Sequence, residues 1–253
     1  MTVSLVPLLL EETASNFWGP LLAYKVFPID IDRVVAFSDL PIIIVQLSNL
    51  TIRGIQLWIV QNNYPVTFSA EDRLLHGFLL AYEGRGVIFV NGTDPPEERR
   101  YTVAHEVAHF LLDHQIPRQR MIRAFGQSII EVLDGKRPPS LSERIQFVTT
   151  DLPSLFSAHH LDNSSLTAYD RHLVWQAEQR VDALATEILA PHKEVVRRLH
   201  LEDGAQWGPC LAPIRKLLSE TFGLPQLVSQ SYAKHIDKHI TGGNGLAKEW
   251  GMN

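Results

Sequence analysis

The chain of 253 residues, 28.6 kDa, has room for one large domain or one domain with an appendage. Its 45% hydrophobic and 20% charged residues, with a mean hydropathy of −0.03, exclude a largely disordered chain. A formal net charge of −5 excludes a global pull toward nucleic acid or anionic lipid, and the single cysteine, Cys210, excludes an internal disulfide framework or a multi-cysteine zinc site. That cysteine usage points to a reducing compartment, and a cytoplasmic protein is expected. The apolar N-terminal stretch is broken by Pro7, has no basic residue before it and runs into Glu11 and Glu12, so it does not read as a signal peptide. No apolar run approaches the roughly 20 residues of a membrane-spanning helix.

Helices are expected over about 13–24 and 34–40, the second stopped by Pro41. The period then changes. Residues 42–47, 54–60, 77–82 and 87–91 are short runs rich in Ile, Val, Phe, Leu and Trp, and Glu83-Gly84-Arg85-Gly86 has hairpin composition between the last two. A small, mainly antiparallel sheet follows from these. The run from Thr93 to Glu98 then offers a capping oxygen at Thr93 or Asp94, two prolines and two acids, which predicts a helix over about 95–114. Residues 115–161 combine a helical stretch at 118–133, a break at 134–139 and a short helix at 141–148. A long helix is predicted over about 165–190, with Leu173, Ala177, Val181, Leu184 and Ile188 as its apolar stripe and Pro191 at its end. Further helices are expected at 193–199, 212–222 and 225–240, then a glycine-rich tail. The class is therefore α+β, with residues 1–200 as one domain, 201–240 as a helical extension and 241–253 as the tail.

His105-Glu106-Val107-Ala108-His109 is HExxH inside a predicted helix, where residues four apart share a face and two imidazoles can grip one ion. Glu106 then sits beside the open metal position, placed to act as general base. The run Val87, Ile88, Phe89 and Val90, just upstream, is the expected strand along which an extended substrate would lie. Catalytic zinc normally takes a third protein ligand. A glycine three residues and a histidine six residues after His109 would supply one pattern, but Leu112 and Gln115 hold those positions. The remaining option is an acid on the later helix, where Glu178 and Asp182 share a face: Glu178 as ligand, Asp182 as acceptor from the far N–H of a ligating histidine. Ala177, Ala183 and Ala185 are small enough to let the two helices approach.

The segment 86–112 together with 178–191 resembles the ImmA/IrrE family of metallo-endopeptidases, which pair an HExxH helix with a later E-x-x-A-N/D-x-x-A-x-x-L-L-x-P helix. The match is close at Glu178, Asp182, Ala185, Leu189 and Pro191 and departs at Val181 and Ala190. The resemblance covers roughly residues 26–198, with a weaker echo at 221–224. It implies a thermolysin-like core in which His105, His109 and Glu178 bind Zn2+ and Glu106 is the base, and it implies cleavage of a partner transcriptional repressor, often of the helix-turn-helix type. Glu178 follows His109 by 69 positions, more than compact family members need, so residues 115–161 read as a helical insertion serving as a lid or substrate-selecting flap.

Tyr101, Tyr169 and His172 are candidates for the donor that stabilises the oxyanion, and the sequence does not choose among them. His114, His159, His160 and His172 read as structural rather than ligating, and Arg118, Arg120 and Arg123 as a solvated face. Residues 216–234 have the outline of a helix-turn-helix, but in a chain of net charge −5 ordinary helix packing is favoured over direct DNA binding. The rival to the peptidase is a metal-containing regulator that holds a repressor or DNA without turnover.

Overall fold

Two helices, α1 (Leu8–Trp18) and α2 (Ile31–Phe37), precede the sheet, the second capped by the Asp30 carboxylate accepting from the Arg33 amide at 3.1 Å. The computed structural model describes residues 6–19, 26–68, 70–149, 168–199 and 211–240. Its three strands are β1 (Ile42–Leu47), β2 (Gly77–Tyr82) and β3 (Arg85–Asn91), in the order β1-β3-β2. The hairpin turn is only Glu83-Gly84, both at positive φ (48° and 76°), the conformation that suits the twist of two antiparallel strands. β1 runs parallel to β3, so the small sheet is mixed.

A parallel pairing needs a crossover, and residues 54–60 help supply it. Expected as a strand, they form helix α3 (Ile52–Gln61) instead. Thr51 Oγ1 accepts from the Gly54 amide at 3.0 Å, and Ile52, Ile55 and Ile59, three and four apart, are buried while Leu57 and Val60 face solvent. The composition of this run is β-like; its cap and the spacing of its isoleucines are helical, and they decide.

β3 is the central strand and is covered on both faces. Val87 and Phe89 pack with Leu80 against α3, where Trp58 meets the Phe89 ring edge-on at 5.1 Å. Ile88 and Val90 face the larger core. The strand reads as a continuous apolar run for that reason. Its end is organised by the buried Asn91, whose Oδ1 accepts from Leu50 N and Thr93 Oγ1 and whose Nδ2 donates to Asp94 at 2.8 Å. Helix α4 (Pro96–His109) begins directly after, with Pro96 in its first turn and Glu97 and Glu98 at its positive end; neither Thr93 nor Asp94 caps it through a side chain.

The α4 helix continues through a π-helical turn (Phe110–Gln115) into α5 (Ile116–Phe125), a 3-10 turn (Gln127–Ile129), α6 (Ile130–Leu133) and α7 (Leu141–Thr149). Arg118 does not face solvent as expected. Its guanidinium pairs at 2.7 Å with the buried Asp134 and its side chain occupies the space above Gly84, while Lys136 reaches Glu83 at 3.1 Å. The described part of the inserted segment thus braces the β2–β3 turn. Residues 150–161 lie outside the described residues.

Helix α8 (Ala168–Leu189) packs on α4 and α1, followed by α9 (His192–Arg198), α10 (Leu211–Glu220) and α11 (Gln226–Ile240). The α10–α11 pair is part of the main core: Ile214, Leu218, Phe222, Ala233 and Ile236 are buried beside residues of α4 and α8. Phe110, fully buried, lies over Gly86 so closely that a Cβ there would come within 2.9 Å of its ring. Truncation to Phe110→Ala is expected to lower stability by about 3–5 kcal/mol, read from urea unfolding midpoints.

Candidate metal centre

His105 and His109 stand one turn apart on α4 with ring centroids 4.8 Å from each other. Buried small residues on the facing surfaces, Ala104 and Ala108 on α4 and Ala185 on α8, let the helices approach closely around Val107, Val181 and Leu184. That approach brings Glu178 over the histidines: its Oε2 lies 3.5 Å from His105 Nε2 and its Oε1 3.5 Å from His109 Nε2. One donor atom from each of the three residues lies within 4.8 Å of the other two. Donors about 2.0–2.1 Å from a tetrahedral ion stand roughly 3.3 Å apart, so the triangle would hold a zinc-sized cation once its widest edge draws in.

The opposite ring nitrogens are also held. His105 Nδ1 is 3.0 Å from Asp182 Oδ1, and His109 Nδ1 is 2.8 Å from Asp113 Oδ2. Each carboxylate accepts from Nδ1, which leaves both Nε2 atoms facing the Glu178 carboxylate. The sequence reading missed Asp113, although its spacing of four from His109 on a continuing helix was the available signal. Tyr101 Oη donates to Asp182 Oδ1 at 2.9 Å, so it anchors that carboxylate rather than an oxyanion, and burial together with Asp182 pushes its phenol well above the usual range. His172 stacks against Trp175; the Tyr169 side chain, His159 and His160 lie outside what is described.

Glu106 borders the same cleft, a cavity of about 230 Å³ that His105, His109, Glu178 and His114 also line. Its carboxylate rests against Gly77, where an added Cβ would meet Glu106 Oε1 at 2.8 Å. Burial pushes the Glu106 carboxyl above its usual range, partly offset by the two histidines. Burial disfavours charged His105 and His109, but Asp182, Asp113 and Glu178 outweigh it and raise them to about 9 and about 10 in the metal-free site. Hydrogen bonds from both histidines hold Glu178 far below the usual carboxylate range. A larger cavity of about 770 Å³ lies between α2, β1 and the start of α4, away from this cluster.

Expectation and structure part over the substrate strand. Val87, Ile88, Phe89 and Val90 are buried on β3, whose backbone is paired on one side with β1 and on the other with β2. They cannot take an added strand. Among the described residues β2 has a single neighbour, and Gly77, Phe78 and Leu79 at its beginning line the metal cleft.

Residues 63–132 match the model of the Peptidase_M78 family, described as the IrrE N-terminal-like domain. This segment belongs to the ImmA/IrrE metallopeptidases. It carries the edge strand, HExxH and Asp113, while Glu178 and Asp182 lie beyond the matched residues. No curated protein and no solved structure matches the chain significantly. Among the described residues no helix is long and apolar enough to cross a membrane.

Two outcomes follow from the geometry. Replacing Asp113 or Asp182 by alanine is expected to weaken zinc binding about 10- to 100-fold, measured by chelator competition. The metal-free chain should also lose stability with alkali: His105 and His109 sit above their usual 6.5, so their contribution is complete below 6.5 and disappears as pH rises through about 9 to 10. Thermal midpoints of the chelated protein that rise over this interval would contradict it.

Proposed function

We propose that the chain is a zinc-dependent endopeptidase acting in the cytoplasm on a specific protein partner, with a helix-turn-helix transcriptional repressor as the substrate class nominated by the family resemblance. The observation that supports it most is the His105–His109–Glu178 triangle lying beside Glu106 at the open edge of β2. Two imidazoles and a carboxylate form a donor set that suits zinc and leaves a coordination position for substrate.

Zinc bound there would supply Lewis acidity toward the scissile carbonyl and acidify the attacking water. The chain's own groups do the rest. An extended peptide adds to β2 as an antiparallel strand, with main-chain hydrogen bonds fixing its scissile bond beside α4. Glu106 accepts the proton of the attacking water and passes it to the departing amine; a raised carboxyl pKa suits a group that must do both. Asp182, held by Tyr101, and Asp113 keep the two imidazoles from rotating. Gly77 keeps the β2 backbone clear of the Glu106 carboxylate.

Glu106→Gln should retain one zinc per chain and lose at least about 100-fold in cleavage of a co-expressed repressor, followed by fragment mass. Retention of parental cleavage would remove the base assignment. Chelator-sensitive fragments separate the enzyme from a regulator that only holds its partner. Gly77→Ala should keep zinc while slowing cleavage, because the new methyl group would press on α4 at Thr102 and at the Glu106 carboxylate.

A further inference from the structure

The metal cleft has a cationic residue that the roles above leave unused. Arg73 lines it together with Gly77, Glu106, His109 and Glu178. Its guanidinium has no ion-pair or hydrogen-bond partner among the described residues, whereas Arg118, Arg137, Arg197 and Arg198 are all paired with carboxylates. Its backbone is firmly placed. Arg73 O accepts from Ile52 N at 3.3 Å, Leu74 bridges Thr51, Leu75 N donates to Leu50 O at 2.9 Å and Asp72 Oδ1 accepts from Arg53 N at 3.0 Å. Residues 72–75 are thus pinned along the start of α3, and Arg73 is presented at the cleft mouth four residues before β2.

Direction follows from strand pairing. A peptide lying antiparallel on β2 runs opposite to it, so the residues after its scissile bond lie toward the start of β2, where Arg73 stands. We infer that Arg73 selects substrates with an aspartate or glutamate shortly after the scissile bond. This rests on the peptidase reading above. The surface as a whole carries net charge −5, so the preference for acid is a local property of this one guanidinium. Neutral contacts from Ile52, Leu75 and Phe78 around it give the same subsite an apolar wall for the stem of the acidic side chain.

Zinc-loaded parent, Arg73→Gln and Arg73→Glu proteins are incubated with peptides from a denatured proteome, and cut sites are read by mass spectrometry. For the parent, acids should be enriched over Lys and Arg within the first two positions after the cut. Arg73→Gln should abolish that enrichment and Arg73→Glu reverse it. With matched peptides that differ only in Glu against Gln at the selected position, the acidic one should show a KM lower by about two- to fivefold for the parent, the scale of an exposed charge pair, with kcat little changed and the difference shrinking at high salt. Cutting by the parent without acid enrichment, unaltered in Arg73→Glu, overturns this selection alone. A zinc-loaded parent that cuts neither these peptides nor the co-expressed repressor overturns the peptidase reading and this inference with it, and a parent that cuts only the repressor, with no acid in the first two positions after that cut, overturns the selection alone.

Discussion

The close approach of α4 and α8 is the constraint on which the site depends. Two imidazoles on one helix can orient toward an ion without help, but the third donor belongs to a helix 69 positions further along the chain. The packing of α8 on α4 brings Glu178 to 3.5 Å from each of the two rings. The same crossing puts Asp182 one turn further on against His105 and Tyr101. The apolar residues that bury α8 therefore also set the spacing of the three candidate donors.

Much of this was legible from residue types and spacing. HExxH, the E-x-x-x-D pair at Glu178 and Asp182, and the β2–β3 hairpin are local signals, because four residues on a helix and alternation on a strand fix which side chains share a face. One miss was local and one was non-local. Residues 54–60 have strand-like composition but helical spacing, and the placement of β1 beside β3 could not be read from β1 itself. That placement makes β3 central and moves the free edge to β2, so the expectation for Val87 to Val90 failed through sheet order rather than through strand assignment. A run apolar at every position, as at 87–90, was itself a sign of burial on two faces.

The described part of the inserted segment has a visible structural role. The half-buried Arg118–Asp134 pair and the Lys136–Glu83 pair hold the turn of the hairpin whose outer strand borders the His105–His109–Glu178 cluster. Removing Arg118 would leave the largely buried Asp134 side chain, 5% exposed, without its closest cation. The edge strand is in this way supported at its beginning by α3 and at its end by α5 and α6. Substrate pairing would then occur on a preformed template, with less ordering to be done upon binding.

The π-helical turn at Phe110–Gln115 holds one residue more than an α turn would. That surplus rotates everything downstream by roughly 100° relative to an uninterrupted helix. Upstream of the step the rod presents His105 and His109 to Glu178; downstream it addresses the hairpin, and Asp113 sits at the pivot with its carboxylate still on the His109 ring. A single-residue deletion here would restore a regular rod yet misalign its two halves, so the length of this short stretch is under tighter constraint than its side chains alone would indicate.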